Sequence, residues 1–237
     1  MPTAAMVMAA GLGKRMRPLT ATTPKPLVRV AGKHLIDHSL DRLGEAGIAR
    51  AVVNVHYLPE QIEAHCAHRA VAPAVTISDE RALLLETGGG LVQALPLLGP
   101  DPFYCVNSDN IWLNGPQDAL HRLAARWDPE RMDALLLVVS HARAFGHSGP
   151  GDFHLDSMGK VSRRRGQRIA PFIFTGIQII HPRLIADPPG PVFSTNIFWN
   201  RAIAAGRLYA VPHDGLWFDI GSPQAIAPAE ALLAEAA

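Results

Sequence analysis

Cysteine is scarce in this 237-residue chain. Cys66 and Cys105 stand far apart and outside any Cys-x-x-Cys spacing, which excludes a disulfide framework and a thiolate zinc site. No apolar run reaches the roughly 18 residues of a membrane span, and the N-terminus lacks the basic-then-apolar order of a secretory leader. The expectation is a cytoplasmic protein with no membrane partner. An excess of one charge sign is missing too: 22 Lys and Arg face 21 Asp and Glu, and a net charge of +1 offers no field for nucleic acid. Eleven histidines are present without a His-Glu-x-x-His, and His65 with His68 reads as a solvated helix face. What is plentiful is core material, since 48% of residues are hydrophobic and 18% charged. No fixed-period repeat, low-complexity tract or linker interrupts it, so residues 1–237 are expected to form one domain.

The chain is organised around residues 4 to 28. The run Ala4 to Ala10 carries no polar residue, as a central strand covered on both faces requires. Gly11 and Gly13 follow, and without a Cβ they let successive N–H groups turn toward phosphate oxygens. Lys14, Arg15, Arg17 and Lys25 supply cations around that turn, a charge that suits a triphosphate. Two commoner phosphate motifs do not fit. Met16 stands where G-x-G-x-x-G needs its third glycine, and G-x-x-x-x-G-K-[ST] is absent. Pro18, Pro24 and Pro26 argue against a helix directly after the turn, so the loop is long and irregular.

Beyond it, short apolar runs alternate with helical periods, the pattern of an α/β sheet built by crossovers. Ile36, Leu40 and Leu43 mark a helix that Gly47 closes. Ala51 to Val55 and Val75 to Ile77 read as strands, with Pro59 starting a helix between them. Glu86-Thr87-Gly88-Gly89-Gly90 opens a helix carrying Leu91, Leu95 and Leu98. Thr87 or a neighbouring glycine is its expected cap, and that end favours an anion or polar ligand. Phe103 to Val106 is a buried strand ending in Asn107-Ser108-Asp109-Asn110, which puts an aspartate where open α/β sheets bind ligands. A helix with Leu120, Leu123 and Trp127 precedes a strand from Asp133 to Val139. Asp152 to Leu155 and Gly159 to Ser162 form a hairpin. Pro171 to Ile180 is a strand broken at Thr175-Gly176. Ser194 begins a helix ended by Gly206, Leu208 to Val211 is a strand, and Ser222 with Pro223 opens a final helix after Trp217 to Gly221. Arg163-Arg164-Arg165 with Arg168 reads as a solvated turn.

The pattern A-A-G-x-G-x-R-x-x-P-L-T followed by P-K-P-L resembles the signature of the sugar-1-phosphate nucleotidyltransferases. Gly11, Gly13, Arg15, Pro18, Leu19, Thr20, Pro24, Lys25, Pro26 and Leu27 match it, while Lys14 replaces the more usual threonine or serine. Counterparts follow in order: Glu86 to Gly90, Asn107-x-Asp109, Gly151-Asp152-Phe153, Phe174 to Ile177 and Trp217-x-Asp219-x-Gly221. The set is most similar to short bacterial members without a C-terminal left-handed β-helix, especially uridylyltransferases acting on N-acetylmuramate 1-phosphate in cell-wall recycling. Ser108 stands where glycine is usual, which would narrow the sugar pocket.

The resemblance implies a Rossmann-like nucleotidyltransferase fold: a central, mostly parallel mixed sheet flanked by helices, with a small antiparallel subsheet. It implies transfer from a nucleoside triphosphate, UTP favoured, to a sugar 1-phosphate, with Mg2+ held by Asp109 and Asp219. Arg15, Lys25 and Asp109 would be catalytic. Ala9, Ala10, Gly11, Gly13, Lys14, Arg15 and Gly88 would border the nucleotide, and Lys25, Glu86, Asn107, Gly151, Asp152 and Thr175 the sugar phosphate. The molecule is expected as a monomer or small homo-oligomer. The other readings are a mannose-1-phosphate guanylyltransferase-like enzyme and a regulatory subunit that kept the fold and lost catalysis.

Overall fold

A computed structural model describes residues 1–235. In chain order the strands are β1 (Ala4–Met8), β2 (Arg29–Val30), β3 (Lys33–His34), β4 (Arg50–Val55), β5 (Ala74–Asp79), β6 (Phe103–Asn107), β7 (Asn110–Leu113), β8 (Ala134–Ser140), β9 (Ala144–Phe145), β10 (Phe153–Leu155), β11 (Val161–Arg163), β12 (Phe172–Ile180), β13 (Leu208–Pro212) and β14 (Leu216–Asp219). The α-helices are α1 (Leu35–Glu45), α2 (Pro59–Ala67), α3 (Glu86–Leu98), α4 (Ala119–Arg126), α5 (Asn196–Ala204) and α6 (Ile226–Glu235). Among the described residues no helix is long and apolar enough to cross a membrane.

Nine strands form the main sheet, with β11-β10-β12-β6-β1-β4-β5 in sequence and β8 pairing both β12 and β13. β1 is parallel to β4 and β6, β4 to β5, and β13 to β8, whereas β12 runs antiparallel to β6 and β8. Alternation explains the layering. Along β1, Ala5 and Val7 join a core with Ile36, Leu40, Leu43 and Leu120, while Ala4 and Met6 join another with Leu91, Leu98 and Phe198. A strand buried on both faces can be apolar throughout, as this one is.

The chain moves from β1 outward through β4 and β5, then crosses back to β6 on the other side of β1. The carboxyl ends of β1 and β6 therefore border a topological switch point, where open α/β sheets leave a crevice. The expected first strand stops two residues early because the Ala9 N–H leaves the ladder and donates to Asn54 Oδ1 at 2.7 Å. Thr175-Gly176 does break its strand: the register of β12 against β8 shifts between Phe174 and Ile177. The expected hairpin forms as β10 and β11 and joins the main sheet through Phe153 opposite Phe172.

The small sheet, β7-β14-β9, is antiparallel in its β14–β7 pair and parallel in its β14–β9 pair. A third apolar cluster lies against it. Met16 and Val28 from the opening loop, Leu35, Ile111, Phe218, Ile220 and Ala229 of α6 pack together.

Candidate active site

Two adjoining cavities open at the switch point. One, of about 420 Å³, is lined by Ala9, Gly11, Gly13, Lys14, Arg15, Lys25, Ser108, Asp109 and Gly221 among others. The second, of about 370 Å³, is lined by Ala10, Asn54, Glu86, Thr87, Asn107 and Ser194. Met8, Gly11, Leu84 and Asp109 border both, so Asp109 stands where the two spaces meet.

The opening loop reaches this place by local rules. Gly13 takes φ +60°, a left-handed conformation that few other residues adopt at low cost. Its carbonyl accepts from Met16 N at 2.9 Å and Thr20 Oγ1 at 2.8 Å. These bonds curl Lys14 to Met16 into a single 3-10 turn whose Met16 is fully buried and whose cations face outward. A further 3-10 turn, Lys25–Leu27, begins after Pro24 and aims Lys25 inward. Lys25 is only 8% exposed, and its Nζ lies 2.7 Å from Asp109 Oδ2.

Sheet register brings the second carboxylate in. Asp219 at the end of β14 pairs with Asn110, the residue after Asp109. Asn110 Nδ2 and Trp217 Nε1 both donate to the Thr175 carbonyl, at 2.6 and 2.9 Å, which ties the small sheet to the bulge of β12. Burial pushes the Asp219 carboxyl above the usual range, and repulsion from Asp109 adds to it; Lys25, Arg15 and His147 act in the opposite direction. Two carboxylates that repel each other in a half-buried crevice are hard oxygen donors, the kind that suit a divalent cation. Asp109 and Asp219 are the residues that would hold it.

Most residues expected at the site from sequence are found around it. Ala9, Ala10, Gly11, Gly13, Lys14 and Arg15 border the cavities, as do Lys25, Glu86, Asn107 and Asp109. Five do not line either, and of these Asp219 lies against Gly221, a wall residue of the loop-side cavity. Gly88 lies beneath Phe193, and its N–H donates to the Phe193 carbonyl at 2.8 Å. Thr175 is fully buried, with its hydroxyl donating to Leu137 O at 2.8 Å, so it shapes the bulge instead of facing a ligand. Gly151 and Asp152 hold the start of β10: Asp152 Oδ2 accepts from Phe174 N at 2.9 Å.

Two further expectations change. Thr87 does not cap α3, because its hydroxyl accepts from Thr195 N at 3.0 Å. The Gly88 and Gly89 N–H groups both donate to Phe193 O, so that helix end is closed by backbone and is not an open anion site. Ser108 borders the loop-side cavity and not the one beside Glu86, and its hydroxyl donates to Met8 O at 2.7 Å.

The structure adds residues that no motif announced. Asn54, on β4, accepts from Ala9 N and donates to Glu80 Oε1 at 2.7 Å, and Glu80 Oε2 accepts from Leu85 N at 3.3 Å. This buried relay joins the loop to the start of α3. His147 Nδ1 is 3.7 Å from Asp219 Oδ2, and its Nε2 is buried without a partner. Glu86 holds φ +59°, an uncommon conformation for a residue with a side chain and one that recurs at ligand sites.

A cationic glycine loop, two carboxylates and a two-chambered crevice at a switch point define a nucleotide-handling transferase of the α/β class. Residues 4–152, more than half of the chain, match the family described as nucleotidyl transferase. The chain belongs to the nucleotidyl transferase family, and within it to the sugar-1-phosphate nucleotidyltransferases. It is 48% identical over 238 residues to the N-acetylmuramate alpha-1-phosphate uridylyltransferase of Caulobacter vibrioides, covering 99% of this chain and 98% of that one. It is 38% identical to the protein of the same name from Neisseria meningitidis serogroup B, covering 96% and 97%. A UDP-glucose pyrophosphorylase solved with UDP-glucose shares the fold at a TM-score of 0.81 and 14% identity, each chain covered at 100%.

Proposed function

We propose that this enzyme transfers a uridylyl group from UTP to N-acetylmuramate 1-phosphate, releasing pyrophosphate. The observation that carries this is the charge cluster around Asp109, which borders both cavities: Lys25 and Arg15 line the loop-side one with it, and Asp219 lies beside Gly221 within electrostatic reach of all three. The near full-length likeness to the two uridylyltransferases supports the choice of substrates. The loop-side cavity takes the triphosphate, and the space beside Glu86, Asn107 and Ser194 takes the sugar.

An oxygen of the sugar 1-phosphate attacks the α-phosphorus, that P–O bond forms as the bond to pyrophosphate breaks, and the electron pair leaves with pyrophosphate. The acceptor phosphate is already ionised near neutral pH, so no general base is needed. The obstacle is the approach of two anions. Lys25 and Arg15 lower it by fixed positive charge, and they are positioned before the substrates arrive, so little reorganisation is required. Asp109 and Asp219 would hold a bound Mg2+, which would supply positive charge against that of the phosphates and the leaving group. Lys25 meanwhile holds Asp109 in place through its 2.7 Å ion pair.

The test is a matrix of UTP, GTP and other triphosphates against N-acetylmuramate 1-phosphate, mannose 1-phosphate and other sugar 1-phosphates, with Mg2+ present and pyrophosphate followed. The expected result is fastest turnover with UTP and N-acetylmuramate 1-phosphate. Preference for GTP with mannose 1-phosphate would reassign the substrates, and absence of turnover with every pair would mean that the chain binds nucleotide-sugars without making them.

A further inference from the structure

Away from the crevice, three potential metal ligands meet between the start of α1 and the end of α2. His34 precedes α1, Asp37 lies in its first turn, and His65 lies in the last turn of α2. One ligand atom from each falls within 4.8 Å of the others. His65 Nε2 is 2.9 Å from Asp37 Oδ1, and His34 Nδ1 is 3.3 Å from Asp37 Oδ2. The two imidazoles stand edge to face with centroids 4.7 Å apart. All three side chains are partly open, at 24%, 16% and 23% exposure, so an ion has a path in from solvent.

We propose that His34, Asp37 and His65 form a second divalent-metal site, selective for a zinc-class transition ion. Two imidazole nitrogens and one carboxylate oxygen are a borderline set, favoured by Zn2+ or Co2+ over Mg2+. Tetrahedral bonds of about 2.1 Å place ligand atoms about 3.4 Å apart, so the trio, whose ligand atoms lie within 4.8 Å of one another, draws together on the ion by side-chain rotation. A water completes the fourth position. Binding needs the lone pairs of His34 Nδ1 and His65 Nε2 toward the ion, so each neutral ring then carries its single proton on the other nitrogen, His34 Nε2 and His65 Nδ1.

The neighbouring cations allow this. Arg69 Nη1 is 3.4 Å from Asp37 Oδ1, but the same guanidinium is held more closely by Asp41, at 2.5 Å, and by the Ala72 carbonyl, at 3.1 Å. Arg29 Nε donates to His34 Nε2 at 3.3 Å from an exposed strand, and it must swing away when that nitrogen takes the proton. The site would fasten the beginning of α1, where Leu35 N donates to Val28 O at 2.9 Å at the end of the loop that carries Lys25.

The full chain, stripped of metal by a chelator and desalted, is titrated with Co2+ in a large excess of Mg2+ while the visible absorption is recorded. We expect one Co2+ per chain with the intense band of a tetrahedral site. In His65→Gln and His34→Gln, each checked for an unchanged circular-dichroism melt, Co2+ affinity should fall at least about 10-fold, the lower bound for losing even an indirect metal contact. Wild-type protein without the band overturns the proposal, as does a band of undiminished affinity in a folded variant. Either outcome leaves the trio as a carboxylate that accepts from two imidazoles.

Discussion

Asp219 is where stability and the proposed catalysis oppose each other. Its carboxyl is pushed above the usual range by burial first and by Asp109 second. The folded state therefore binds this proton more tightly than the unfolded chain, so the group's contribution to stability falls as pH rises from the ordinary Asp value through the raised one. Asp219→Asn removes that cost. Its thermal midpoint at pH 7 without metal should exceed wild type by a few degrees, at roughly 2–4 °C per kcal/mol for a chain of this size. The gap should narrow as the pH falls toward the ordinary Asp value of about 3.9 and close below it, where wild-type Asp219 is protonated in both states. The same variant should turn over at least ~100-fold more slowly. Calorimetry across pH and a pyrophosphate assay check the two halves. His147 acts on Asp219 from behind, yet nothing in Gly146-His147-Ser148 distinguishes it in sequence, because its place depends on β9 reaching β14.

At the level of elements, the site rests on one relay and one bulge. Asn54 satisfies the Ala9 N–H and one oxygen of Glu80, whose carboxyl is raised by burial and drawn back by Asn54 and Leu85. Asn54→Ala leaves a buried amide and a buried carboxylate without their partner and should cost about 2–4 kcal/mol. Urea unfolding measures this, and the apparent UTP affinity should weaken with it as the loop loses its anchor. The bulge in β12 needs Gly176 at φ +80°, where a Cβ would overlap Asn110 Nδ2 and lie 2.8 Å from Asn107 Nδ2. Gly176→Ala should therefore raise the sugar KM, and a crystal structure or spectra of the variant should show Asn107 displaced.

These elements also mark how far the sequence could be read. The helix from Ile36, the strand break at Thr175-Gly176 and the glycine loop were legible because each is a local pattern of period, breaker or charge. The partner of the α3 N-terminus was not. Thr87 has every local property of a cap, but residues 193 to 195, distant in sequence, take its hydrogen bonds. Strand β7 was equally hidden, since four residues after an aspartate carry little signal until β14 pairs with them.

For the whole molecule, α6 reaches back to the opening loop and packs against it. Ala229, 3% exposed, packs with Met16 beside Arg15 and with Phe218 and Ile220 on either side of Asp219. Glu230 Oε1 accepts from Ala31 N at 2.9 Å, adding a second tie between the chain ends. Ala229→Glu forces a charge into this cluster, and it should reduce kcat by more than the loss of helical signal accounts for, because it loosens Arg15 and Asp219 before it unfolds the main sheet. Assays paired with circular dichroism separate those effects. In the proposed reaction Asp109, gripped by Lys25 and drawn beside Asp219, is the electrostatic centre of nucleotidyl transfer. It is tested most directly by the kcat of Asp109→Asn with saturating UTP, N-acetylmuramate 1-phosphate and Mg2+. The predicted result is a fall of at least ~100-fold with an unchanged thermal melt. A kcat within about threefold of wild type, below the ~10-fold that 1.4 kcal/mol of transition-state stabilisation provides, would contradict it.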